Sequence, residues 1–152
     1  MSSVAARTSR LATCTVALSI VDVEDNEGGA LFLREAFEMA NSNVQLIVIP
    51  DGARALRYFK MKATAKDAPP LHMILLDMHL PLVDGCESLA FIKSNPALKG
   101  IPHLLFAREG ACASLHRDLG LAPESCVQKA QDWDGLMQLV QHIISLVSNA
   151  GR

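Results

Sequence analysis

Acidic residues directly follow two of the most apolar segments of this sequence. Glu24 and Asp25 come after the first of these segments, and Asp77 comes after the third. In an open parallel sheet, ligands bind at the carboxyl ends of the strands, so we expect these three carboxylates to lie close together. At a separation of about 5 Å, each like-charged pair repels by roughly 3 kcal/mol. Such a cluster attracts a cation, and hard oxygen ligands with open positions favour Mg²⁺.

A lysine supplies the opposite charge for the same edge of the sheet. Lys129 follows the short apolar segment 126–127, which we interpret as the fifth strand. Its side chain is long enough to reach over the acidic crevice. A metal ion, an ammonium group and a carboxylate together suit phosphoryl transfer, in which the carboxylate attacks phosphorus in line while the cations neutralise charge on the equatorial oxygens.

The apolar pattern predicts five strands that alternate with five helices. The predicted strands are 16–23, 44–49, 73–76, 103–106 and 126–127, and the predicted helices are 30–40, 53–61, 86–94, 111–119 and 133–147. This alternation implies parallel pairing with right-handed crossovers. The predicted fold class is therefore α/β, a doubly wound five-stranded parallel sheet with helices on both faces. We interpret the polar segment 62–70 as an extended surface loop before the third strand.

Length and composition fit one domain. The chain has 152 residues, of which half are hydrophobic and 20% are charged, with a formal net charge of −2. These values argue against a disordered chain and against a nucleic-acid-binding surface. The apolar run 11–21 is too short to span a bilayer, and it lacks the cleavage pattern of a signal peptide. We interpret residues 1–13 as a flexible N-terminal tail and residues 14–149 as the domain.

The cysteine spacing bears on the cellular compartment. Four cysteines are widely separated, and no two of them form a C-x-x-C pair. A disulfide scaffold or a zinc site needs denser spacing. We therefore expect reduced thiols in a cytoplasmic protein, with no contact to a membrane.

Several segments resemble the receiver domains of bacterial two-component response regulators. They are VEDN at 23–26, LLDMHLPLVDG at 75–85, the pair Ile101-Pro102, and Lys129. The resemblance extends over about residues 16–148, and it implies the flavodoxin-like fold of CheY-type receivers. The segment IKSNPALK at 92–99, together with the long loop before the third strand, is similar to small regulators paired with phytochrome-type histidine kinases.

The resemblance implies a role for each residue of the acidic site. Asp77 is implied to be the phosphoacceptor, and Lys129 is implied to contact the phosphoryl oxygens. Glu24, Asp25 and Asp77 are implied to hold Mg²⁺ together with the backbone carbonyl of His79. The implied phosphodonor is a histidine kinase, and we expect the output to be contact with a downstream protein, because we expect no output domain after the final helix. A homodimer is also compatible with the resemblance.

Three positions depart from the receiver pattern. Receivers usually carry Thr or Ser at the end of the fourth strand and an aromatic residue on the fifth, whereas this sequence has Ala107 and Cys126. A methyl group cannot donate the hydrogen bond to the phosphoryl group, which is worth about 1.5–3 kcal/mol. The proline that usually follows the lysine is replaced by Ala130, for which a cis peptide bond costs about 2.5–4 kcal/mol. The sequence therefore predicts an acceptor site with an altered conformational switch.

Asp22 lies inside the predicted first strand, where an apolar residue is expected. A buried charge without a partner shifts its pKa or costs several kcal/mol. We therefore expect either a hydrogen-bonded polar residue near the top of the sheet or a bend in the strand that turns the side chain outward.

Two alternatives to a phosphorylation-dependent signalling protein follow from the same residues. The missing switch pair favours a pseudo-receiver, which acts as a scaffold or a phosphate sink. A magnesium-dependent phosphotransferase or phosphatase acting on free substrates is disfavoured, because there is no cap domain and because His79 stands where the second catalytic acid belongs. The chemistry expected of the protein itself is at most self-phosphorylation and autodephosphorylation.

Overall fold

A computed structural model describes residues 17–40, 43–67, 69–78, 85–108 and 110–150. The predicted tail at 1–13 and the predicted metal ligand His79 lie outside the described residues. The domain boundary at residue 14 therefore stays a prediction. None of the helices in the described ranges is long and apolar enough to cross a membrane.

Within these ranges, five parallel strands form one sheet in the order β2-β1-β3-β4-β5. The strands are β1 (Leu18–Val23), β2 (Val44–Ile49), β3 (Met73–Asp77), β4 (His103–Ala107) and β5 (Cys126–Gln128). The strand order reverses between β1 and β3, which is the point where open α/β sheets bind their ligands. The predicted five-stranded, doubly wound α/β fold is confirmed.

In the described part of the chain, four α-helices connect the strands and a fifth follows β5. They are α1 (Glu27–Met39), α2 (Gly52–Thr64), α3 (Gly85–Ser94), α4 (Ala111–Leu119) and α5 (Trp133–Ala150). The side chains of Asn26 and Asp51 cap α1 and α2 by accepting hydrogen bonds from Gly29 N at 2.9 Å and Arg54 N at 2.7 Å. These caps satisfy backbone donors that have no partner within the helix, and so they fix where each helix begins.

The interpretation of 62–70 as a loop was wrong at its start, because α2 continues to Thr64. Lysine and alanine are strong helix formers, and no Gly or Pro interrupts the helix before Ala65. The Thr64 hydroxyl also donates to the carbonyl of Met61 at 3.1 Å. A short 3-10 helix at Pro123–Ser125 was not predicted.

Side chains alternate between the two faces of the sheet and bury apolar residues on both. Helices α1 and α5 cover one face, where Ile20, Leu75 and Phe106 meet Phe37 and Ile143. Helices α2, α3 and α4 cover the other face; buried residues there include Val21, Leu76, Leu105, Phe59 and Ile92. The neighbouring strands β1 and β3 are thus held between two layers, and their carboxyl ends are fixed relative to each other.

Candidate functional site

The three predicted acidic residues come together at the carboxyl edge of the sheet. Asp77 ends β3, and Glu24 and Asp25 follow β1, whose last residue Val23 pairs with Leu76. One carboxylate oxygen from each acidic residue lies within 4.8 Å of the other two. Glu24 and Asp77 are 8% and 2% exposed, whereas Asp25 is open to solvent. Sheet pairing therefore forces like charges together in a partly desolvated pocket.

Lys129 reaches this pocket from the end of β5. Its Nζ lies 2.7 Å from Asp77 Oδ2 and 3.2 Å from Glu24 Oε2. The backbone N–H of Lys129 donates to the carbonyl of Ala107 at 3.1 Å, which anchors the lysine beside β4. Desolvation alone lowers the pKa of Lys129, but the hydrogen bonds and charges of Asp77 and Glu24 outweigh it and raise the pKa above its ordinary value. The side chain is therefore a stable ammonium.

The charge balance of the pocket favours a divalent cation. The ammonium of Lys129 offsets one of the three carboxylates. Burial raises the pKa of Glu24. Two groups oppose this effect and lower the pKa: the backbone N–H of Asn26, which donates to Glu24 Oε1 at 3.1 Å, and the ammonium of Lys129. The remaining negative charge and the exclusively oxygen donors fit Mg²⁺ or Mn²⁺, which prefer hard ligands. The acidic residues present here therefore suit a divalent metal.

A polar cleft opens above this pocket. It has a volume of about 370 Å³, and its lining residues are Asp25, Asn26, Asp77, Ala107, Arg108 and Lys129. Arg108 is exposed and directly follows β4, so it adds a second cationic side chain beside Lys129. Sequence reasoning missed this residue, although its position after the fourth strand was a usable signal. A cleft with two cations above a carboxylate suits a phosphoryl group.

The two altered switch positions lie on neighbouring strands. Ala107 is 1% exposed at the end of β4, and Cys126 is 6% exposed at the start of β5. Both pack into the apolar layer beneath α2, α3 and α4. Ala107 also lines the cleft, but it has no hydroxyl group that could donate a hydrogen bond there. The peptide bond between Lys129 and Ala130 is trans, as the sequence predicts.

Asp22 is buried, contrary to the expectation of a hydrogen-bonded or outward-facing side chain. It is 1% exposed, and its Oδ1 atom has no hydrogen-bond partner among the described residues. Desolvation raises its pKa to about 7, and the charges of Glu24 and Asp77 add to this effect while that of Lys129 opposes it. The side chain lines a cavity of about 240 Å³ between the sheet and helices α1 and α5. The strand stays regular here, because its pairing to β2 and β3 leaves no room for a bend.

Similar proteins place this geometry in a family. No protein-family profile matches the sequence. The chain is 31% identical over 124 residues to the probable methanogenesis regulatory protein FilR2 of Methanothrix harundinacea, covering 82% of this chain and 79% of the relative. It is 29% identical over 126 residues to response regulator Rcp1 of Synechocystis sp., covering 83% of this chain and 86% of the relative.

Solved structures agree with these relatives. The phosphorylated cyanobacterial phytochrome response regulator RcpA superposes with a TM-score of 0.72 at 29% identity, over 84% of this chain and 91% of that one. The Mn²⁺-bound form of Rcp1 superposes with a TM-score of 0.70 at 29% identity, over 84% and 92%. The chain belongs to the response-regulator receiver domains of CheY-like fold. Within that family it is related to the phytochrome response regulators.

Proposed function

We propose that this protein is a single-domain response regulator of a two-component phosphorelay, in which Asp77 accepts a phosphoryl group from a histidine kinase. The observation that carries the proposal is the buried Asp77 carboxylate, 2.7 Å from the Lys129 ammonium and within 4.8 Å of two further carboxylates. Acidic side chains are mostly exposed unless they are paired, whereas Glu24 and Asp77 are 8% and 2% exposed and contact Lys129. This arrangement supports charge-stabilised attack on phosphorus.

Each residue has a defined part in the proposed reaction. An oxygen of Asp77 attacks the phosphorus of the kinase's phosphohistidine, the P–N bond breaks, and the histidine imidazole leaves. The Lys129 ammonium transfers its contact from Asp77 to a phosphoryl oxygen. Glu24, Asp25 and Asp77 would hold Mg²⁺, which when bound neutralises charge on the phosphoryl oxygens. The backbone carbonyl of His79 is a predicted fourth ligand outside the described residues. Arg108 lines the same cleft and supplies hydrogen-bond donors that Ala107 lacks.

The proposed partners follow from the relatives. RcpA and Rcp1 are response regulators, and RcpA is a phytochrome response regulator, so we propose a phytochrome-type histidine kinase as the phosphodonor.

We propose that the output is contact with a downstream protein. We also propose a cytoplasmic location, in line with the wide spacing of the cysteines in the sequence. Dimerisation of two copies stays a prediction, which sedimentation with and without phosphorylation tests.

A phosphate sink or scaffold is the second candidate function. It is favoured by the pair of switch positions, where the Ala107 methyl and the buried Cys126 replace a hydroxyl and an aromatic ring. A phosphoryl group on Asp77 then lacks the hydrogen bond that would pull the end of β4 toward it. Phosphorylation without a change at the surface is the behaviour expected of a sink.

Incubation with Mg²⁺ and acetyl phosphate tests the acceptor. We expect the intact mass of the parent protein to rise by one phosphoryl group, and the mass of an Asp77→Asn variant to stay unchanged. A parent protein that gains no mass would refute the proposal.

Hydrogen exchange with and without beryllofluoride then distinguishes the switching regulator from the phosphate sink. Changed protection near Ala107 and Cys126 supports a switching regulator, whereas unchanged protection with the mimic bound supports the sink.

A further inference from the structure

Two thiols meet between α4 and β5, away from the acidic pocket. Cys126 is the first residue of β5, and Cys112 is the second residue of α4. Cys112 packs against the same apolar layer that buries Cys126. A hydrogen bond from the Cys112 thiol contributes to raising the pKa of Cys126, so the two side chains are neighbours. Residues 14 positions apart in the chain therefore place two thiols side by side between α4 and β5.

The two thiols differ in their access to solvent. Cys126 is 6% exposed, whereas Cys112 is partly exposed at the surface end of the pair. A small oxidant therefore reaches Cys112 first. Burial raises the pKa of Cys126 to about 12, with a further contribution from Cys112, so the Cys126 thiol is protonated at neutral pH. This asymmetry gives the pair one attacking sulfur and one resolving sulfur.

The first turn of α4, which carries Cys112, has no side-chain cap. Its N-cap is Gly110, which has a φ of 79° and makes no side-chain hydrogen bond to the first turn. A first turn without a side-chain cap is held less firmly than those of α1 and α2. A shift of this turn would bring the two sulfur atoms to the roughly 2.05 Å separation of a disulfide.

We propose that Cys112 and Cys126 are a redox modification site, which hydrogen peroxide converts into an intramolecular disulfide. The Cys112 sulfur attacks one peroxide oxygen, the O–O bond breaks, and water leaves after protonation, so that Cys112 becomes a sulfenic acid. The Cys126 sulfur then attacks the Cys112 sulfur and displaces the hydroxyl group, which leaves as a second water with the Cys126 proton. Two thiols lose two electrons and two protons, and hydrogen peroxide is reduced to two waters.

The disulfide would tie α4 covalently to the edge strand of the sheet. Cys126 pairs with Leu105 in the β4–β5 register, two residues before Ala107. Oxidation therefore acts on the same side of the sheet as the altered switch positions, through a bond and without a phosphoryl group. The site stands apart from the proposed function, since it uses no residue of the acidic pocket.

Stepwise oxidation of the full chain tests the site. We expect low hydrogen peroxide to remove two hydrogen masses, and a non-reducing peptide map to show a link between the peptides of Cys112 and Cys126. Dithiothreitol should reverse both changes. A Cys86→Ser variant keeps the pair and should behave as the parent does, whereas Cys112→Ser and Cys126→Val should form no such link.

Three results would overturn the inference. They are a parent protein that forms no disulfide, a link that joins Cys86 or Cys14 instead, or conversion of Cys112 to a sulfinic acid with Cys126 left as a thiol. The parent's peptide map decides even if the Cys126→Val variant fails to fold. An Asp77→Asn variant should form the link to the same extent, so failure of the phosphoacceptor proposal and failure of this one are distinguished.

Discussion

The charge of Lys129 controls how strongly the acidic pocket attracts a cation. Its ammonium contacts both Asp77 and Glu24, at 2.7 Å and 3.2 Å. A Lys129→Met variant keeps an unbranched side chain of nearly the same length and removes the charge. Because the lysine side chain is 42% exposed, solvent screens the effect, and we expect divalent metal ions to bind up to about tenfold more tightly.

Titration with Mn²⁺ followed by electron paramagnetic resonance measures this change. A Lys99→Met variant removes an exposed lysine between α3 and β4 and should leave the affinity as it is in the parent. Equal affinity in the parent and the Lys129→Met variant would show that the metal and the ammonium do not share ligands.

Asp22 makes the stability of the metal-free protein depend on pH. Its pKa is about 7 in the folded chain, against 3.8 without the fold. Below pH 3.8 Asp22 is protonated in both the folded and the unfolded chain, so its burial does not lower the free energy of unfolding there. As pH rises toward 7, the unfolded chain releases the proton first, and the free energy of unfolding falls by up to about 1.4 kcal/mol per pH unit.

Urea denaturation in a chelator between these pH values measures the slope. An Asp22→Asn variant cannot ionise at this position, so we expect a shallower slope and greater stability than the parent at pH 7. Replacement of the exposed Asp67 by Asn is the matched control and should preserve the parent's slope. Parallel slopes for parent and Asp22→Asn would show that the buried carboxyl is not the titrating group.

The sequence predicts where the strands end, but it does not predict which side chains of different elements contact each other. Glu24, Asp25, Asp77 and Lys129 each follow an apolar run, and parallel pairing alone brings their backbones to one edge. Whether the Oδ1 atom of Asp22 finds a hydrogen-bond partner depends on which side chains of α1 and α5 surround it. The contact of Cys112 with the Cys126 thiol depends likewise on the packing of α4, which no local pattern encodes.

At the scale of elements, helix boundaries follow capping groups more closely than apolar periodicity. The prediction for α4 matched its observed bounds, because Gly110 and Gly120 flank it with φ values of 79° and 64°. The prediction for α1 began at residue 30, whereas the helix begins at Glu27. Its first turn contains two glycines and no large apolar residue, so only the Asn26 cap marks the start.

Asp51 at the start of α2 makes both a capping hydrogen bond and a surface ion pair, and substitutions can distinguish their contributions to stability. Asp51 accepts from the backbone of Arg54 at 2.7 Å, and it also pairs with the Arg54 side chain, which is 63% exposed. Exposed ion pairs contribute little, whereas loss of an N-cap costs about 1 kcal/mol. We expect Asp51→Ala to destabilise the protein by about 1 kcal/mol and Asp51→Asn, which keeps the capping oxygen, to cost only a few tenths.

Chemical denaturation of the two variants beside the parent measures this difference. An Asp51→Asn variant as unstable as Asp51→Ala would assign the stability to the ion pair and not to the cap.

At the scale of the whole molecule, the doubly wound topology stores electrostatic repulsion at one edge of the sheet. The strand order β2-β1-β3-β4-β5 places β1 beside β3, so folding itself brings Glu24 and Asp25 toward Asp77. The unfolded chain holds these carboxylates apart. A cation that bridges them binds the folded state alone, and it therefore stabilises the whole fold.

This coupling predicts a metal-dependent melting temperature. At Mg²⁺ concentrations about 100 times the Kd, the folded state gains about 2.7 kcal/mol. For a domain of this size, the melting temperature then rises by roughly 5–10 °C. Calorimetry in Mg²⁺ and in a chelator, at matched ionic strength, measures the difference in melting temperature.

An Asp25→Asn variant loses one exposed ligand without disturbing the core, and it should lose most of the rise in melting temperature. Asp67→Asn should keep the rise in full, and an equal rise in Asp25→Asn would place the stabilising metal elsewhere on the molecule.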